Sequence, residues 1–302
     1  MRALLFSGQG SQYVGMMKDL ADNFSSINEK LDLANEILDY DIKSIMFDGP
    51  SDKLKETRYT QPALFLHSAI LFDHLKSKLD FGATAGHSVG EYAALYAAGV
   101  MSFKDALSLV ALRGELMFIA GENQPGTMFA VIGLDDDGVI EVCNNNNFPE
   151  EDKYIVAANF NSPGQVVVSG SRDWLRESAP KFKDAGAKLV KELQVSGAFH
   201  SPLMEAAKEK LADMIGEIEF TTAAVPVYTN VNAKAEKDPL RLKELLIEQL
   251  TSPVKWTQTL KSLHEDTFDS YTEIGAGKVL QGLVKRTIKD VEISGYDKLE
   301  DL

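Results

Sequence analysis

Apolar positions recur along this chain in two rhythms. Ala3 to Phe6 is a continuous apolar run that stops at a polar loop, SGQGSQ at 7 to 12, the pattern of a buried strand feeding a turn. Pro62 opens a helical pattern in which Leu64, Phe65, Ala69, Phe72, Leu75 and Leu79 return at helical spacing. Phe81 to Ala85 reads as a second strand and Val89 to Ala98 as a helix, stopped by Gly99. Ser102 caps a further helix with the apolar stripe Ala106, Leu109, Val110, Leu116, Met117 and Ala120. Arg113 lies in the middle of that stripe, where a charge needs a reason.

Between Gly126 and Leu193 the rhythm changes. Strand (127–132), helix (135–143), strand (154–159), strand (165–169), helix (172–184) and strand (188–193) follow in the order of a ferredoxin-like split βαβ unit. The polar run NNNNFPEED at 144 to 152 predicts a solvated surface loop. Beyond His200 the pattern predicts a helix from Pro202, a strand at 225–229, a helix from Pro239 capped by Asp238, a strand at 271–274 and a helix from Lys278. Strands alternating with helices predict an α/β fold with a mainly parallel sheet covered on both faces. The expected division is a discontinuous main domain, 1–125 with 195–302, interrupted by a small domain at 126–194.

Composition adds exclusions. The chain has 302 residues and a formal charge of -14, so long-range repulsion opposes general binding to nucleic acid or to an anionic membrane. An acidic partner would need a local basic patch. The single cysteine, Cys143, has no partner for an internal disulfide, and the N-terminal apolar stretch is too short for a signal peptide. A cytoplasmic location is expected.

Candidate chemistry centres on GHSVG at 86 to 90, a G-x-S-x-G pattern between a predicted strand and a predicted helix. Flanking glycines permit a sharp turn that exposes Ser88 at the helix's amino end, where backbone N–H groups stabilise an oxyanion. A plain helix N-cap is the competing reading. A nucleophilic serine needs a base, and five histidines are available. His67 and His74 share one helix at i, i+7, and His264 falls in a polar loop. His87 adjoins the serine on a tight turn and points elsewhere, which fits packing or hydrogen bonding. His200 remains, just before Ser201 and Pro202, whose predicted helix end should favour neutral imidazole. Spacing alone leaves His200 open as a satisfied core histidine, and Arg113 open as half of a structural ion pair.

The blocks FSGQGSQ (6–12), TQPALF (60–65), GHSVGE (86–91), LRGELM (112–117), NSPGQVVVSG (161–170), GAFHSPLM (197–204), EQLTSPVKW (248–256) and EIGAGKVLQGLVKR (273–286) follow one another in order. Together they resemble the malonyl-CoA:acyl carrier protein transacylase family, shared with acyltransferase domains of polyketide synthases. The resemblance covers nearly the whole chain. It implies an α/β-hydrolase-like main domain with a ferredoxin-like small domain. It makes Ser88 the acyl-enzyme nucleophile, His200 its base and Arg113 the holder of a malonyl carboxylate. The oxyanion hole falls on the backbone N–H groups of Gln9 and Val89. The main-chain carbonyl of Gln249 orients the histidine, giving a Ser-His dyad without an acidic third member. Ser7 stands where proline is usual and Val89 where leucine is usual.

The resemblance implies malonyl-CoA and acyl carrier protein as partners, with no cofactor and no metal. Phe199, a position that resembles a selector in polyketide relatives, implies malonyl rather than methylmalonyl. Lys278, Lys285 and Arg286, seven and eight positions apart on a predicted helix, form a candidate dock for the acidic carrier, although a solvated helix face has the same pattern. Two rivals remain. A hydrolase would need an acidic triad member and no carboxylate-binding arginine. A non-enzymatic carrier-binding module would be expected to have lost Ser88 or His200.

Overall fold

A computed structural model describes all residues, Met1–Leu302. Its strands are, in chain order, β1 (Arg2–Phe6), β2 (Ala83–Gly86), β3 (Gly126–Ile132), β4 (Ile155–Ser162), β5 (Gln165–Ser171), β6 (Leu189–Glu192), β7 (Val227–Tyr228), β8 (Ala235–Glu236), β9 (Ser270–Ile274) and β10 (Glu292–Tyr296). Six of them form one sheet in the order β10-β9-β1-β2-β7-β8, parallel except for the terminal β7–β8 pair. The other four form a separate antiparallel sheet in the order β4-β5-β3-β6.

β1 explains why its sequence is a continuous apolar run rather than an alternation. Successive side chains face opposite sides of the sheet, and both sides are packed. Leu4 and Phe6 join a large core with the helices Thr57–Leu75 and Phe103–Asn123. Ala3 and Leu5 join a second core with Trp256, Leu260 and Tyr271. The small sheet has its own core, in which Val131, Val166 and Val168 meet Val139 and Phe182 of the helices Asp136–Asn145 and Arg172–Asp184. The small sheet is tied to the main body at β4, through the segment that precedes the helix Trp256–Glu265. Val254 N–H donates to the Ala158 carbonyl at 2.8 Å, and Phe160 N–H donates to the Val254 carbonyl at 2.9 Å.

Several expectations need correction. The helix that Pro62 was expected to open begins five residues earlier, at Thr57, and ends at Leu75 rather than Leu79. Nearly every residue of this helix is buried, so tertiary packing overrides the missing N–H of a proline in the second turn. His264 lies in the last turn of a helix, Trp256–Glu265, not in a loop. The helix expected from Pro202 begins as a 3₁₀ turn, Pro202–Met204, before the α-helix Glu205–Glu217. Four helices between Lys18 and Lys55 and the edge strands β8 and β10 carry no expectation from the sequence. No helix is long and apolar enough to cross a membrane.

Candidate active site

The carboxyl ends of the parallel strands converge on one crevice, the usual place for a site in an open α/β sheet. β1 leads to Gln9 and β2 leads to Ser88. Ser88 is left-handed, with φ 52°, between β2 and the helix Gly90–Ala97. The glycines on either side are steric necessities. A Cβ on Gly86 would lie 2.0 Å from the Gly90 carbonyl carbon, and one on Gly90 would lie 2.2 Å from the Phe6 carbonyl oxygen. Strand, turn and helix are therefore pressed together, which holds Ser88 in a conformation that costs an ordinary residue about 1–2 kcal/mol.

Ser88 Oγ lies 2.8 Å from His200 Nε2, and His200 Nδ1 lies 2.9 Å from the Gln249 carbonyl. A carbonyl only accepts, so Nδ1 carries the proton and Nε2 faces the serine as an acceptor. His200 is also left-handed, with φ 56°, and buried. Burial first, and the Arg113 charge second, depress its pKa to about 3, so the ring is neutral. The sequence offered the following helix end as the cause of neutrality; desolvation is the dominant one.

Arg113 is fully buried. Nη2 donates to Ser88 Oγ at 3.1 Å and to Gln249 Oε1 at 3.1 Å, and Nη1 donates to Gln61 Oε1 at 2.7 Å. The guanidinium lies over the Tyr92 ring, 5.7 Å from its centroid. No carboxylate approaches within ion-pair distance. Desolvation lowers its pKa, opposed by Tyr92 and by the buried Glu91, whose own carboxyl is pushed up to about 7 by burial. The ion-pair alternative for Arg113 therefore has no partner. What the structure offers is a buried cation aimed at the serine hydroxyl and held by neutral amides.

His87 turns away from the serine hydroxyl. Its Nε2 lies 2.8 Å from Asn161 Oδ1 on β4, and its ring meets Trp256 edge to face. Gln249 also binds through its side chain, since Nε2 donates to the Ser88 carbonyl at 3.1 Å. The backbone N–H groups of Gln9 and Val89 make no hydrogen bond within the chain. Ser88, His200, His87, Gln9 and Phe199 line a cavity of about 160 Å³, whose other side is Met117, Met128, Val167, Leu193 and Val195 with Asn159 and Asn161. A smaller cavity adjoins it through Gln9, His87 and Asn161 and reaches Val279 and Leu283 of the helix Val279–Thr287. That helix carries Lys285 and Arg286, with Lys278 as its N-cap, and all three are exposed. Arg286 donates to Gln165 Oε1 of β5 at 2.7 Å.

Sequence reasoning missed Gln61, Asn161 and Asn230, which hold Arg113, His87 and Ser88. Gln61 and Asn161 stand inside the quoted blocks TQPALF and NSPGQVVVSG, but nothing in the residues themselves singles them out.

A serine on a strand-to-helix turn, a neutral imidazole and two free N–H donors suit acyl transfer, and the chain matches the acyl transferase domain family over residues 3–298; the protein is an acyltransferase. It is 44% identical over 300 residues to the malonyl CoA-acyl carrier protein transacylase of Staphylococcus aureus, covering 99% of this chain and 96% of that protein. A solved acyl carrier protein S-malonyltransferase from Vibrio cholerae superposes with a TM-score of 0.94 at 39% identity, covering 99% of this chain and 98% of that one. A malonyl-transacylase solved in complex with a type II PKS acyl-carrier protein superposes with a TM-score of 0.94 at 37% identity, covering 99% and 97%. The chain belongs to the malonyl CoA-acyl carrier protein transacylase family.

Proposed function

We propose that this enzyme moves a malonyl group from malonyl-CoA to the phosphopantetheine thiol of an acyl carrier protein, through an ester on Ser88. The observation that carries the reading is Arg113, a buried guanidinium with no counter-ion, 3.1 Å from the Ser88 hydroxyl. A carboxylate one methylene away from the reacting carbonyl would meet its fork and neutralise it.

His200 Nε2 takes the proton of Ser88 Oγ as that oxygen attacks the thioester carbonyl carbon. Negative charge gathers on the former carbonyl oxygen, which the Gln9 and Val89 N–H groups receive. The C–S bond breaks, the CoA sulfur takes the proton from Nε2, and malonyl remains as the Ser88 ester. The carrier thiol then runs the same steps in reverse. Two thiols use one site in turn, so ping-pong kinetics follow. The depressed basicity of His200 is offset during attack, when imidazolium forms beside a developing oxyanion.

In this reading 1–125 with 195–302 is an α/β-hydrolase-like catalytic domain and 126–194 a ferredoxin-like domain. The parallel sheet with its serine turn supports the first, and the βαββαβ order of the antiparallel sheet supports the second. Phe199, buried in the cavity wall, leaves little room beside malonyl C2. Lys278, Lys285 and Arg286 flank the smaller cavity, and we take them as the dock for the acidic carrier, in the cytoplasm, with no cofactor beyond the thiol substrates.

The test is intact-protein mass spectrometry after incubation with malonyl-CoA, acetyl-CoA and methylmalonyl-CoA in parallel. A dominant malonyl adduct that maps to Ser88 and vanishes in Ser88→Ala is expected. An adduct that persists in folded Ser88→Ala would overturn the reading.

A further inference from the structure

Asn230 has no role in the chemistry above, yet it grips the nucleophile turn at both ends. It is fully buried in the segment after β7. Its Oδ1 accepts from the Ser88 backbone N–H at 2.7 Å, and its Nδ2 donates to the Gly86 carbonyl at 2.7 Å. These partners fix the orientation of the amide, since an N–H needs an oxygen and a carbonyl needs an N–H. Asn230 is held in turn. Its own N–H donates to Glu91 Oε2 at 2.7 Å, and its carbonyl accepts from Lys255 N–H at 3.0 Å. Glu91 lies in the first turn of the helix that follows Ser88, so β2, the turn and that helix close into one hydrogen-bonded ring.

We propose that Asn230 is a positioning residue for acyl transfer: its carboxamide holds Ser88 left-handed, aiming Oγ at His200 and leaving the Val89 N–H free for the oxyanion. A short neutral amide offers an acceptor and a donor side by side. A hydroxyl has one oxygen for both tasks, and a carboxylate accepts but cannot donate. Without the amide, the Ser88 N–H and the Gly86 carbonyl lose their partners in a dry place. The turn then relaxes away from the left-handed region and carries Oγ with it. The proposal rests on Ser88 being the nucleophile.

Asn230→Ala and Asn230→Asp are compared with the parent in single-turnover malonyl loading, with Ser88→Ala as control. Asn230→Ala should load about 10²-fold more slowly, the scale of a small misplacement of reacting groups, with KM for malonyl-CoA little changed because Asn230 does not touch the acyl group. Asn230→Asp gives the discriminating readout. A protonated carboxyl reproduces both bonds, whereas a carboxylate repels the Gly86 carbonyl. Burial raises a carboxyl pKa, so loading by this variant should recover toward the parent between about pH 8 and pH 5. The titratable groups around the position are Glu91, Arg113, His87 and His200. Glu91 accepts from the Asn230 N–H and is pushed up to about 7 by burial, so it couples to a carboxyl at position 230; the pH series is therefore repeated in a Glu91→Gln background, where the ramp of Asn230→Asp should persist.

Parental loading by Asn230→Ala, a rise in KM with kcat unchanged, or a pH-independent ratio of Asn230→Asp to parent would overturn the proposal. If Asn230→Ala does not fold, the pH ramp of Asn230→Asp decides alone. A malonyl adduct on Ser88→Ala would instead remove the nucleophile reading beneath it, so the two failures are distinct.

Discussion

On the large-sheet side of the cleft, the polar groups around Ser88 are tied to one another. His200 is fixed by Gln249, Arg113 by Gln61 and Gln249, and the Ser88 backbone by Asn230. Across the cavity, the small sheet offers Met128 and Val167, with Asn159 and Asn161 as polar points, and the segment that follows β6 adds Leu193 and Val195. Bond-making requires groups held to within a fraction of an ångström, which a dense buried network provides. A wall that receives a flexible substrate arm needs shape and dryness, and side chains such as methionine adapt to it. The hydrogen bond from His87 to Asn161 joins the two walls beside the serine. Disturbing the first wall should therefore reduce rate, and disturbing the second should change selectivity or partner use.

His200→Ala strikes the first wall. Loading should slow by ~10²- to 10⁴-fold, the usual worth of a general base, measured by quench-flow with mass detection. His87→Ala should cost far less, and the reverse order would move the base to His87. Reversing Lys285 and Arg286 to glutamate touches only the helix proposed as the carrier dock. Transfer to the carrier should fall by roughly tenfold at low salt while loading from malonyl-CoA is spared, because exposed charges act mainly on encounter rates. Equal losses in both half-reactions would remove the dock. Phe199→Ser should shift competitive loading a few-fold toward methylmalonyl, on the scale of one methyl group in a pocket. The smallest effect is on the pH profile. Because burial holds His200 near 3, protonation of the base does not intervene between pH 8 and pH 5. The loading rate should therefore show no inflection due to His200; Glu91, pushed up to about 7 by burial, titrates in this range, so a break near ~6.5 that persists in Glu91→Gln would mean that His200 titrates normally.

The sequence made the serine turn legible because two glycines and a strand-to-helix change occur together, and it made Arg113 legible because a charge interrupts an apolar stripe. The structure brings Ser88 to His200, and Arg113 to Ser88 and Gln249, within hydrogen-bond distance. Asn230, Gln61 and Asn161 left no such mark. Their partners lie 142, 52 and 74 positions away along the chain, and only the tertiary fold supplies that proximity. Pro62 misled for a related reason: its local signal says helix start, while packing of the buried helix carries the start back to Thr57. Three of the helices between 18 and 55 have only 5 to 7 residues, which leaves little periodicity to read, whereas Ser25–Leu38 does carry Ile27, Leu31 and Ala34 at helical spacing.

The central claim is that Arg113 selects a carboxylated acyl group. Competitive acylation of Arg113→Ala from mixed malonyl-CoA and acetyl-CoA, read by intact mass with circular dichroism to check folding, tests it directly. Leaving a malonyl carboxylate unpaired in a dry site should cost about 2–5 kcal/mol, while an uncharged acyl group loses nothing comparable. Malonyl loading should collapse, acetyl loading should hold or rise, and Arg113→Lys should restore only part of the difference because an ammonium lacks the two-pronged fork. Parallel loss of both acyl groups in a folded Arg113→Ala would contradict the account and leave Arg113 a structural residue.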